Sequence, residues 1–83
     1  MRRDVRYFAW VRERIGESGE TITSEARTPG ELIAELRRQG PRHAAAFNDL
    51  TALRVAVDQE LVDFDTPLGD AREIAFFPPM TGG

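Results

Sequence analysis

Eighty-three residues leave room for one small domain with one modest core. The net charge of −3 argues against a general nucleic-acid-binding face, and no apolar run is long enough to span a bilayer. With no cysteine, no lysine and a single histidine, the chain offers no disulfide, thiolate nucleophile, P-loop lysine, Schiff-base amine or cysteine zinc site.

The chain opens on Met1-Arg2-Arg3-Asp4, but Arg6 and Arg12 interrupt the apolar residues behind it, which is not a signal-peptide core. A cytoplasmic protein is expected. Val5 to Val11 reads as a first strand, with Val5, Tyr7 and Ala9 facing the core and Phe8 and Trp10 on the other face beside Arg6. An exposed apolar pair of that kind marks an interface unless a loop covers it. Arg12 to Gly16 reads as a short helical turn stopped by Gly16. Glu20 to Ser24 is a second strand, β-branched at Thr21, Ile22 and Thr23, with Ile22 inward.

Thr28-Pro29-Gly30-Glu31 is a capping box, with Thr28 as N-cap, Pro29 at N1 and Glu31 reaching back. It predicts a helix over 29–39 whose stripe of Leu32, Ile33 and Leu36 is core. Arg37 and Arg38 complement the helix dipole, Gly40 takes the C′ position and Pro41 blocks continuation. A helical piece over 41–48 follows, in which His43 is expected to face solvent. Leu53 to Asp58 is a third strand, Asp58-Gln59-Glu60 a turn, Leu61-Val62 a return strand and Asp65 to Asp70 a loop. Glu73 to Phe77 is the last strand, Ile74 and Phe76 inward and Phe77 outward. Asp58, Glu60, Asp63 and Asp65 read as a solvated acidic loop rather than a metal or acid–base site.

This order, with the first and last strands paired in parallel at the centre, describes an α+β, β-grasp (ubiquitin-like) fold. It is a mixed sheet with one main helix packed across one face. The domain spans residues 1–77 and an extended tail spans 78–83. On the uncovered face, Phe8 and Phe77 form a two-aromatic patch at the base of that tail. In the tail, Pro78 and Pro79 fix φ and lack an N–H, so the chain leaves the domain extended and semi-rigid. Gly82 and Gly83 are as thin as a polypeptide can be, and the six residues after Phe77 span roughly 20 Å when extended. With no phosphate loop and no triad in the chain, the chemistry falls to the Gly83 carboxylate. That group becomes an acyl donor only after activation, most simply as a mixed anhydride with AMP made by another protein.

Val5 to Glu13, Pro67-Leu68-Gly69-Asp70 and above all Phe76-Phe77-Pro78-Pro79-Met80-Thr81-Gly82-Gly83 resemble the small, sulfur-carrier subunit of molybdopterin synthase. The likeness covers the whole chain, although 24–53 resembles that family mainly in its pattern of elements. The resemblance implies that a ubiquitin-activating-like adenylyltransferase uses ATP to adenylate Gly83 and that a sulfur donor converts it to a thiocarboxylate. The tail then inserts into the large catalytic subunit and gives sulfur to a cyclic pyranopterin phosphate, forming the dithiolene of molybdopterin. The implied assembly is a heterotetramer of two small and two large subunits. This chain binds no cofactor itself, and neither nucleic acid nor membrane is a partner. Carried over, the motif puts the sulfur on Gly83 and the inserted tether on Pro78, Pro79, Met80, Thr81 and Gly82. Partner contacts fall on Phe8, Phe77 and Leu61, with Arg12 toward the activating enzyme. Trp10 and Arg6 depart from the family pattern on the exposed face. A sulfur carrier for thiamine synthesis, a ubiquitin-like protein modifier and a plain binding module with an inert tail are the alternatives.

Overall fold

The computed structural model describes residues 1–79. Five strands form one mixed sheet: β1 (Arg2–Tyr7), β2 (Gly19–Thr23), β3 (Arg54–Val57), β4 (Glu60–Val62) and β5 (Glu73–Phe77), in the spatial order β2-β1-β5-β3-β4. β1 and β5 run parallel at the centre, Val5 beside Ile74 and Tyr7 beside Phe76. β2 and β3 flank them antiparallel, and β4 returns along β3 as a short edge. Helices α1 (Ala9–Ile15), α2 (Pro29–Arg37) and α3 (Pro41–Ala46) cover one face. This is the β-grasp arrangement the sequence predicts, with a helical layer of three pieces.

The core follows from period-two alternation on the strands meeting the stripe of α2. Val5, Tyr7, Ile74 and Phe76 point toward Leu32 and Leu36, and all are essentially inaccessible to solvent. Phe47, at the end of α3, packs edge-on against Phe76 with ring centres 5.1 Å apart. The predicted helical piece over 41–48 is thus real, and it supplies a core residue.

Three expectations need correction. The first strand does not run to Val11: it ends at Tyr7, and α1 begins at Ala9. The sequence 9–15 buries Val11 and Ile15 on one helical face, four residues apart, and Ala9 at φ 53 turns the chain out of the sheet. Ala9 is therefore exposed rather than core, and Trp10 lies in a helix rather than on the sheet. Gly16, in the left-handed region at φ 92, stops α1 as expected.

The second correction concerns α2. It ends at Arg37 with Arg38 as an ordinary right-handed cap, so Gly40 is the residue preceding α3 rather than a C′ glycine. The capping box holds: the Thr28 hydroxyl accepts the Glu31 N–H at 3.2 Å. The Glu31 carboxylate reaches one residue further back than expected, to the Arg27 N–H at 2.9 Å. Third, Ser24 lies just beyond β2, where its hydroxyl donates to Glu35 and accepts the Ala26 N–H.

The acidic turn has a structural task. Asp58 and Gln59, both at positive φ, make the tight β3–β4 hairpin, and one Asp58 carboxylate oxygen accepts the N–H groups of Arg72 and Glu73. At the other edge, β2 enters through Gly19, where a Cβ would lie 2.7 Å from the Val5 carbonyl. Only glycine lets β2 approach β1 that closely.

Candidate functional site

Because the helices cover only one side, the other face of the sheet is open. Alternation places Arg6 of β1, Ala75 and Phe77 of β5, Arg54 and Ala56 of β3 and Leu61 of β4 on it. One row across the sheet reads Arg6, Ala75, Ala56, Leu61, and the next pairs Arg54 with Phe77. The two alanines at the middle of the row are small, and the exposed Arg6 and Leu61 stand at its ends.

Phe8 extends the parallel pairing of β1 and β5 by one residue, its N–H donating to the Phe76 carbonyl at 3.2 Å. Its backbone is still extended at φ −128, ψ 155, so its ring falls on the open face beside Phe77. Phe8 is 49% exposed and Leu61 65%, whereas Phe77 is half-buried. The backbone register sets Phe8 and Phe77 at neighbouring positions, and Leu61 lies two strands from Phe77 on the edge of the same face. Trp10 does not join them. It packs half-buried against the core with the Arg14 guanidinium 4.5 Å above its ring. Arg12 sits one helical turn beyond Phe8, exposed, its N–H donating to the Phe8 carbonyl.

β5 is a central strand, and its end at Phe77 is where the tail leaves. Pro78 and Pro79 follow outside the strand, both half-buried. Met80, Thr81, Gly82 and Gly83, to which the sequence assigns the inserted tether and the reacting carboxylate, lie outside the described residues.

Two groupings escaped the sequence reading. His43 does not face solvent. Its Nε2 lies 2.8 Å from a Glu20 carboxylate oxygen. The same Glu20 oxygen accepts the Tyr7 hydroxyl at 2.7 Å, and the His43 ring stands edge-on to that of Tyr7. Burial opposes ionisation of Glu20, but the hydrogen bonds from His43 and Tyr7 outweigh it and hold its carboxyl below the usual carboxylate range. Burial, reinforced by the bond to Glu20, pushes the Tyr7 hydroxyl up. The available signal was Tyr7 itself, since a tyrosine on a core face needs a partner for its oxygen.

The second grouping centres on Arg3, which is buried on the same face as Val5 and Tyr7. Its guanidinium donates to the carbonyls of Gly69, Ala71 and Ala26 while Nε has no partner among the described residues. The alternation Arg3, Val5, Tyr7 carried that signal. Both groupings lie toward the helix-covered face of the sheet, with Val5. Among the described residues no cluster of three potential metal ligands occurs, and no helix is long and apolar enough to cross a membrane.

Comparison with known proteins agrees with this geometry. The chain matches the ThiS family over residues 5–83. It is 43% identical over 79 residues to the molybdopterin synthase sulfur carrier subunit of Escherichia coli, covering 95% of this chain and 96% of that protein. Among solved structures it superposes on SAMP1 from Haloferax volcanii with a TM-score of 0.77 at 21% identity, each chain covered completely, a likeness of fold. It also superposes on a chain of the complex of subunits 1 and 2 of molybdopterin-converting factor from Helicobacter pylori, with a TM-score of 0.65, 30% identity and full coverage of both chains. The chain is a β-grasp protein of the ThiS family, on the branch of the molybdopterin synthase sulfur carrier subunits.

Proposed function

We propose that this chain carries sulfur for molybdenum cofactor biosynthesis, holding it as a thiocarboxylate on Gly83. The observation that carries the reading is the way β5 ends. A central strand delivers the Pro-Pro-Met-Thr-Gly-Gly run from beside Phe8 and Phe77, two aromatics on an otherwise unoccupied sheet face. The domain is the handle and docks through that face. The tail is the arm, and its width falls from two prolines to two glycines, as entry into a narrow active site requires.

The chemistry follows from what the chain contains. Adenylation joins a Gly83 carboxylate oxygen to the α-phosphorus of ATP and releases pyrophosphate. A hydrosulfide supplied by the donor then attacks the Gly83 carbonyl carbon, the C–S bond forms as AMP leaves with the electron pair of the C–O bond, and loss of the sulfur's proton gives the thiocarboxylate. Pro78, Pro79, Met80, Thr81 and Gly82 thread it into the large catalytic subunit, where the sulfur passes to a cyclic pyranopterin phosphate. The adenylyltransferase and the sulfur donor are separate proteins. Phe8, Phe77 and Leu61 serve the large subunit, and Arg12 serves the activating enzyme. The relative found in complex with subunit 2 of molybdopterin-converting factor supports a two-subunit assembly.

The test is intact mass spectrometry after incubation with ATP, the organism's adenylyltransferase and a sulfur source. Replacement of one oxygen by sulfur on the C-terminal peptide is expected. Dithiolene formation on adding the large subunit and the pyranopterin precursor then separates this role from a thiamine carrier. Modification of foreign lysines without any sulfur gain would replace it with a protein-modifier role.

A further inference from the structure

We propose that the all-arginine basic set makes this carrier chemically inert toward its own activated tail, so that no copy of the chain acylates another. The inference rests on activation at Gly83, as proposed above.

All eleven basic residues are arginine. Arginine is usually preferred over lysine where a planar fork is needed, for a bidentate carboxylate, a set of carbonyls or an aromatic face. Three side chains here have such a reason. Arg3 forks onto buried carbonyls, Arg54 donates to the Leu53 carbonyl at 2.8 Å, and Arg14 stacks on Trp10. At least six others do not. Arg2, Arg27, Arg37, Arg38, Arg42 and Arg72 are exposed, and among the described residues their side chains make neither an ion pair nor a hydrogen bond. At these positions packing does not discriminate between arginine and lysine.

Nucleophilicity does discriminate. A lysine amine that has lost its proton attacks the carbonyl carbon of an acyl-adenylate. The C–N bond forms, the C–O bond to phosphate breaks, AMP leaves with the electron pair and the amine proton passes to water. A guanidinium stays protonated and delocalised at neutral pH and has no lone pair to give. A surface of arginines therefore keeps its positive charge and presents no side-chain acceptor to a neighbouring activated copy.

The amine of Met1 is engaged in the fold, donating to the Ser24 carbonyl at 3.0 Å.

The experiment compares the natural chain with R37K/R38K, which keeps charge and helix propensity on the exposed end of α2. Each is incubated with ATP and the adenylyltransferase without a sulfur donor. Pyrophosphate release is followed in parallel with intact mass. The expected result is equal pyrophosphate release, no covalent dimer of the natural chain, and in R37K/R38K a species with the mass of two chains less one water. Reductive methylation of the variant's lysines abolishes that species. Pyrophosphate release with equal dimer from both chains, or with none from either, overturns the inference while leaving activation at Gly83 standing. Absence of pyrophosphate release from both overturns the activation reading itself and the inference with it.

Discussion

Truncating Phe8 to alanine separates docking from folding. A phenylalanine ring offers on the order of 200 Å² of surface, and Phe8 is 49% exposed, so about 100 Å² remains to be buried when a partner covers the open face. At ~25 cal/mol per Å² that is about 2.5 kcal/mol, or roughly a 60-fold rise in Kd for the large subunit. The half already covered inside the domain makes the variant less stable by about 1–2 kcal/mol once a compact unfolded chain is allowed for. Isothermal titration against the large subunit, at a temperature where circular dichroism shows both chains folded, reads the first number. Urea unfolding reads the second. Phe77→Ala is expected to weaken binding by ~2 kcal/mol or more, as central aromatic anchors do. A Kd within threefold of the natural chain for F8A, with the fold intact, would refute the assignment of this face as the docking surface.

Other perturbations address the tail and the two polar groupings. Adding one residue after Gly83 is expected to abolish sulfur transfer while leaving the unfolding curve unchanged; undiminished dithiolene formation would contradict the assigned role of the carboxylate. Arg3→Met keeps the stem but strands the carbonyls of Gly69 and Ala71, and about 2–4 kcal/mol of stability should be lost from a total of roughly 4–12. A urea-derived change under about 1 kcal/mol would show that water replaces the guanidinium. Glu20 has a folded-state pKa below its unfolded value, so its contribution is fully present above the unfolded pKa. That contribution is lost as pH falls through the folded pKa. Glu20→Gln should therefore destabilise the chain at neutral pH and converge with it in acid. Urea midpoints between about pH 7 and 3 that stay parallel for the two proteins would exclude a native-state role for this carboxylate.

Much of this molecule is written in local chemistry. Thr28, Pro29 and Glu31 fix where α2 starts because capping involves only neighbours. Alternation in Glu73–Phe77 fixes which residues face inward because the pleat has period two. Pro78 and Pro79 restrict φ and Gly82 and Gly83 lack a Cβ whatever surrounds them, because these are properties of single residues. The sequence alone was therefore enough for the β-grasp order, while the role of Gly83 stays an expectation from the sequence.

Tertiary structure decided whatever depends on partners distant in the chain. The first strand stops at Tyr7 because Val11 and Ile15 find a core to bury against, and a short apolar stretch reads equally as strand or helix until that core exists. His43 became part of a half-buried pair only because Glu20 and Tyr7, 23 and 36 positions away, meet it across the sheet edge. Arg3 became a clamp because two loops bring their carbonyls to it. Leu61 joined the open face of the sheet through the register of β3 and β4, which the hairpin at Asp58 and Gln59 sets. Local signals fix an element and its faces; which of those faces stays bare, and what stands beside the root of the tail, is fixed by long-range packing, where burial outweighs propensity.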